Sequence, residues 1–216
     1  MAGTLYGPTV SSPALSAPTA PSLAAAFPAY LQRDVQAVLK LLPPSSLEPA
    51  LPFRVTVDGQ PVVIPYRMYH AEPQANVEGA LSPTQSAILN LLYTRHHDGR
   101  VRQRRLEHVL RLNEPWVVPF VVRLVGEYVL EIVLDIHREL VEIHDPWTPQ
   151  HAVYGQVLAA NPSFVALTAQ RVASYWACYR HLYSDRRYYP GSTVIESMRA
   201  AARYYSTPTR TQHPHI

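Results

Sequence analysis

A mainly α-helical domain carrying one small β-hairpin is the fold class that three observations predict. Hydrophobic residues make up 47% of the 216-residue chain, enough to build a sizeable core. Between residues 83 and 205, apolar side chains recur at three- and four-residue spacing, interrupted by proline and glycine at intervals suited to helix ends. Upstream, the β-branched runs FRVTV and PVVIPYRMY flank Asp58-Gly59, the pairing that most strongly signals a hairpin turn.

Taken in order, residues 1–27 are rich in Ala, Pro, Ser and Thr and read as a disordered tail, because they hold too little apolar surface to offset the entropy of ordering. Residues 28–205 read as a single helical domain, and residues 206–216 as a flexible tail. The domain opens with a helix placing Leu31, Val35, Val38, Leu39 and Leu42 on one face, stopped by Pro43-Pro44. The hairpin covers residues 53–69, with Pro61 and Pro65 confining its second strand to an edge. Residues 70–81 read as a loop.

Ser82-Pro83 then supplies an N-cap followed by proline at the first helical position. That helix carries Ile88, Leu91 and Leu92 and ends at the turn His96-His97-Asp98-Gly99; the next spans residues 100–112. WVVPFVVRLV and EYVLEIVLDIHREL follow on either side of Gly126, the second with Glu127, Glu131, Asp135, Arg138 and Glu142 along one face. Residues 146–161 read as a proline-containing linker. Asn161-Pro162 starts a helix to about residue 183, which sets Phe164, Leu167, Val172, Tyr175, Tyr179 and Leu182 on one face. After Pro190-Gly191, the capping-box spacing of Thr193 and Glu196 predicts the start of a final helix.

Two segments resemble the repeat unit of HEAT-repeat proteins, in which a helix, a tight turn with an aspartate and a valine-arginine pair opening a second helix recur about every forty residues. PTQSAILNLLYTRHHDGRVRQRRLEHVL carries the turn Asp98-Gly99 and the pair Val101-Arg102. PWVVPFVVRLVGEYVLEIVLDI repeats the helix-turn-helix shape with Pro119 where first helices of the family are often kinked, although Gly126 or Glu127 stands at the turn aspartate and Leu130 replaces the arginine. The resemblance spans residues 83–141 and implies compact helical hairpins that act as a binding scaffold.

Charge sorts the remaining possibilities. The formal net charge is only +3, and Lys40 is the sole lysine, so arginine carries nearly all the positive charge. The single cysteine, Cys178, rules out an intrachain disulfide or a cysteine zinc cluster and reads as a small buried hydrophobe. No secretory signal or membrane-length apolar run appears, so the expected location is the cytoplasm, with no membrane partner. Glycine-rich phosphate loops, nucleophile elbows and zinc-protease helices are also absent from the sequence. No catalytic residue, metal ligand or cofactor is therefore assigned. His96-His97, His137 with His144, and His213 with His215 lack the spacing of a chelating set on one helix.

Two clusters are candidate binding surfaces. Tyr183, Arg186, Arg187, Tyr188 and Tyr189 combine the residue types enriched in protein interfaces. Arg100, Arg104, His108 and Arg111 fall on one face of a helix, as an anion or nucleic-acid stripe would, or as a solvated face paired with neighbouring acids. Arg123, inside Val-Val-Arg-Leu-Val, and Arg171 point to buried ion pairs or a substrate clamp, with Asp98 and Glu127 as candidate partners for Arg123. The leading expectation is a non-enzymatic scaffold or adaptor for a protein partner. The alternative is a nucleic-acid binder using the arginine helix, and a metal-dependent enzyme comes last.

Overall fold

The computed structural model describes residues 22–206, which are mainly helical with one antiparallel two-stranded sheet. In chain order these are α1 (Gln32–Leu39), β1 (Phe53–Val57), β2 (Gln60–Ile64), α2 (Ala75–Glu78), α3 (Pro83–Tyr93), α4 (Gly99–Glu107), α5 (Val118–Val125), α6 (Leu130–Glu139), α7 (Pro149–Ala159), α8 (Pro162–Cys178) and α9 (Pro190–Ser206). Each residue of α5 is buried, and α5 packs against α6, α7, α8 and α9, so it runs through the middle of the core. Around it, α3 packs on α4, α5 on α6, and α4 on α6.

The hairpin turns at Asp58 and Gly59, both with positive φ (50° and 74°), the turn geometry that matches the twist of paired strands. Register runs from Phe53 opposite Ile64 to Val57 opposite Gln60, and Val55, Val57, Val62 and Ile64 face the core. Asn161 binds the outer edge of β1: the Thr56 N–H donates to its Oδ1 at 2.8 Å, and its Nδ2 donates to the Thr56 carbonyl at 2.8 Å. This residue precedes α8, so the contact fixes the hairpin to that helix and stacks Phe53 on Phe164, with ring centres 5.4 Å apart.

Several elements differ from the sequence reading for identifiable reasons. Residues 149–159, read as linker, form α7, capped by Thr148 and packed closely along α9, where Tyr205 covers Gly155. The loop assigned to residues 70–81 contains the single-turn α2, which Arg105 clamps through Glu78. The final helix starts at Pro190, one turn before the capping box that Thr193 suggested. Asn161 makes no cap hydrogen bond because its side chain is committed to β1. Cys178 is exposed at the end of α8. At the N-terminal side, residues 22–27 join the core through Phe27, which stacks on Phe120 at 5.3 Å. Residues 1–21 and 207–216, including His213 and His215, lie outside the described residues. Among the described residues, no helix is long and apolar enough to cross a membrane.

Candidate functional site: a buried arginine cluster

Five guanidinium groups, from Arg67, Arg95, Arg102, Arg123 and Arg171, converge where the hairpin, α4, α5 and α8 meet, and Glu127 is the carboxylate among them. Local structure sets each position. Tyr66 and Arg67 follow β2 after Pro65, and the backbone of Met68 pairs with that of residues 95–97, the Met68 N–H donating to Arg95 O at 2.9 Å. Arg95 follows α3, Arg102 lies on α4, Arg123 in the last turn of α5 and Arg171 on α8. Gly126 lets α5 approach α8, since a Cβ there would stand 3.0 Å from the Arg171 Cβ.

Glu127 is fully engaged. Arg67 donates to both of its oxygens at 2.8 and 3.0 Å, and Arg102 donates to Oε2 at 3.3 Å. Arg102 also donates to the His96 and His97 carbonyls, both at 2.9 Å. This leaves Arg123 and Arg95 without a carboxylate. Asp98, the other candidate partner for Arg123, instead caps α4 by accepting from the Arg100 N–H at 2.8 Å. Arg123 is 4% exposed and its Nε lacks a hydrogen-bond partner. Arg95 is fully buried, and none of its three side-chain nitrogens has a partner among the described residues.

Aromatic faces take part of the load. The Tyr66 ring has three guanidinium carbons around it, those of Arg67 at 4.3 Å, Arg123 at 4.7 Å and Arg171 at 5.3 Å from its centre, and Arg123 also lies 5.4 Å from the Phe53 ring. Such contacts are worth about 0.5–2 kcal/mol each, less than the cost of burying an unpaired charge, about 3–5 kcal/mol. Titration behaviour reflects the shortfall. Burial, reinforced by the like charge of Arg171, pushes Arg123 down to about 10. Burial drives Arg95 well below the ordinary guanidinium range, with Glu127 opposing and the neighbouring arginines adding to the effect. Burial also lowers Arg102 despite its contact with Glu127. For Tyr66, burial pushes the hydroxyl up, but a hydrogen bond from Arg171 and the charges of Arg67 and Arg171 outweigh it, so the phenol lies below its usual value.

The cluster borders a cavity of about 410 Å³, into which Tyr66, Arg123 and Arg171 face between apolar walls that include Leu51, Phe53, Phe164 and Leu167. Its volume falls in the range of small-ligand sites, and its make-up of apolar walls with a few convergent polar groups is typical of them.

The two surface clusters expected from the sequence lie elsewhere. Arg100, Arg104, His108 and Arg111 are all exposed, but Arg104 pairs with Glu72 and Arg111 with Glu139 at 2.9 Å. In the C-terminal group, Tyr189 belongs to the core against Tyr179 and Tyr183, and Arg187 is held by Asp185 at 2.6 Å. Tyr188 and Arg186 are exposed and Tyr183 is half-buried. Arg186 and Arg187 border a second, open cavity with His144 and Ser197. Ser197 Oγ lies 3.2 Å from His144 Nε2, and its hydroxyl also reaches the Thr193 carbonyl, to which it donates at 2.9 Å. Among the described residues, no group of three or more His, Cys, Asp or Glu side chains is placed to hold a metal ion.

No family model, curated protein or solved structure matches the chain. Sequence reasoning singled out Arg123, Arg171 and Glu127 but missed Tyr66, Arg67 and the role of Arg95. The one local signal was an arginine beside a tyrosine in the proline-bounded segment after β2.

Proposed function

We propose that the chain is a non-enzymatic, cytoplasmic interaction scaffold built on HEAT-like helical hairpins, and that its specific contact is with an anionic group of a protein partner, received in the cavity of Tyr66, Arg123 and Arg171. The excess of guanidinium over carboxylate around Glu127 carries this reading. An interior that leaves cations unanswered is unstable relative to one that answers them, and an incoming anion with an apolar neighbour supplies the missing charge while covering the apolar walls. The arginine helix supports nucleic-acid binding less well, because Arg104 and Arg111 already hold carboxylates.

Capture from the native host with wild type, Arg171→Met and Arg104→Met, all checked for equal melting temperature, tests this. Loss of one defined partner with Arg171→Met and its retention with Arg104→Met is the expected pattern. Equal retention by all three would refute it. Salt-steep oligonucleotide binding abolished by Arg104→Met would move the assignment to nucleic acid.

A further inference from the structure

We propose that the cavity binds a phosphoryl monoester in its dianionic form, carried on an apolar or aryl body; this inference rests on the anion-binding reading above. Three features of the site select this chemistry over a simple carboxylate.

Charge is the first. With Glu127 taken up by Arg67 and Arg102, Arg123 and Arg171 line the cavity as two guanidinium groups that hold no salt bridge among the described residues. A carboxylate ligand answers one of these and a phosphoryl dianion answers two. Around Arg123, which is 4% exposed, that difference is felt more strongly than at a surface.

Donor placement is the second. The cavity's donors come from three separate elements: Tyr66 after β2, Arg123 on α5 and Arg171 on α8. Arg123 and Arg171 both flank the Tyr66 ring, at 4.7 and 5.3 Å from its centre, and all three groups border the same cavity. A carboxylate presents two oxygens in one plane, whereas the tetrahedral phosphoryl head presents three terminal oxygens, one toward each donor.

The walls supply the third. Phe53 and Phe164 stack with an interplanar angle of 4°, and Leu51 and Leu167 stand at the rim, 86% and 46% exposed. A bare phosphate would leave this apolar lining wet. A ring or short alkyl body attached to it would be covered by the lining, and binding would gain the corresponding hydrophobic contribution.

Titration calorimetry on the full chain at fixed ionic strength tests the proposal with phenyl phosphate, phenylacetate and inorganic phosphate. We expect phenyl phosphate to bind at one site about tenfold or more tightly than either of the others, and Arg171→Met to weaken it by about tenfold or more. Phenylacetate equalling phenyl phosphate would overturn the dianion while leaving the anion-binding reading intact. Inorganic phosphate equalling it would overturn the apolar body, and no heat from any of the three would overturn both inferences. If Arg171→Met fails to fold, Leu167→Glu at the exposed rim places a carboxylate at the mouth and should also weaken phenyl phosphate by about tenfold; unchanged affinity would count against the site. A tyrosine-phosphorylated peptide forms the second arm. Binding at least as tight as the free ester is expected if a protein carries the group, and exclusion of the peptide would overturn that source in favour of a small phosphate ester.

Discussion

Two groups of arginines lie on either side of α4, and their surroundings are opposite. On the outer side, Arg105 is gripped by Glu72 and Glu78, each at 2.7 Å, while Arg104 and Arg111 are held by Glu72 and Glu139. Hydrogen bonding to Glu78 outweighs burial there and raises Arg105 above the ordinary guanidinium range. On the inner side, Arg95, Arg102 and Arg123 share what Glu127 has left after Arg67, and burial lowers all three. The outer arginines are structural fasteners, one holding α2 to α4 and another tying the chain after α4 to α6. The inner ones are a charge reservoir that the fold alone does not balance. Density of arginine in the sequence is therefore a poor guide to which guanidinium groups the fold leaves without a carboxylate.

The contrast can be broken at Glu127, where the largest effect is expected. Glu127→Gln removes the central negative charge and leaves buried cations facing one another, so urea denaturation should show a loss of about 3–5 kcal/mol. A loss below about 1 kcal/mol, the level of a surface pair, would show that water already screens the interior cluster. Next comes a change of opposite sign. Arg95→Met replaces an unpartnered buried cation with an apolar side chain of similar length and should stabilise the ligand-free protein by about 2 kcal/mol. A lower melting temperature would mean that Arg95 is well satisfied.

Smaller losses belong to the outer group. Arg105→Met should cost about 1–2 kcal/mol by freeing α2, and Arg111→Met should cost less still because that pair is exposed and screened; chemical denaturation at two salt concentrations separates them. The smallest effect is set by His96 beside the cluster, whose imidazole burial and the neighbouring His97 hold below the usual value of 6.5. The unfolded chain then takes up a proton more readily than the folded one, so stability should begin to fall as pH drops below about 6.5 and level off beneath the folded-state value. A melting-temperature profile of wild type beside His96→Gln checks this, the variant lacking that part of the slope.

Much of the architecture was legible because local chemistry dictates it. Ser82-Pro83 caps α3 through a complete capping box with Gln85, and Asp58-Gly59 makes the hairpin turn. What escaped is set by distant partners. Segment 149–159 carries Gln150, His151, Gly155 and Gln156 among its apolar residues, and it becomes a helix against α9, where Tyr204 and Tyr205 pack on His151. Periodicity cannot show such a helix, since its buried side includes polar groups and a glycine. The site escaped for a related reason. Glu127 was a reasonable partner for Arg123, four residues away, but Arg67 reaches it from 60 residues upstream and Arg102 from 25, and nothing local reveals that competition.

Melting temperature during titration with phenyl phosphate or phenylacetate, at constant ionic strength, tests most directly whether the inner cluster awaits an anion. For wild type we expect a continuous rise with at least one of them, reaching about 2.7 kcal/mol of added stability at a hundred times the dissociation constant, and a flat response from the Arg123→Met/Arg171→Met double variant. A flat wild-type curve with both anions, or an equal rise in the double variant, would contradict it.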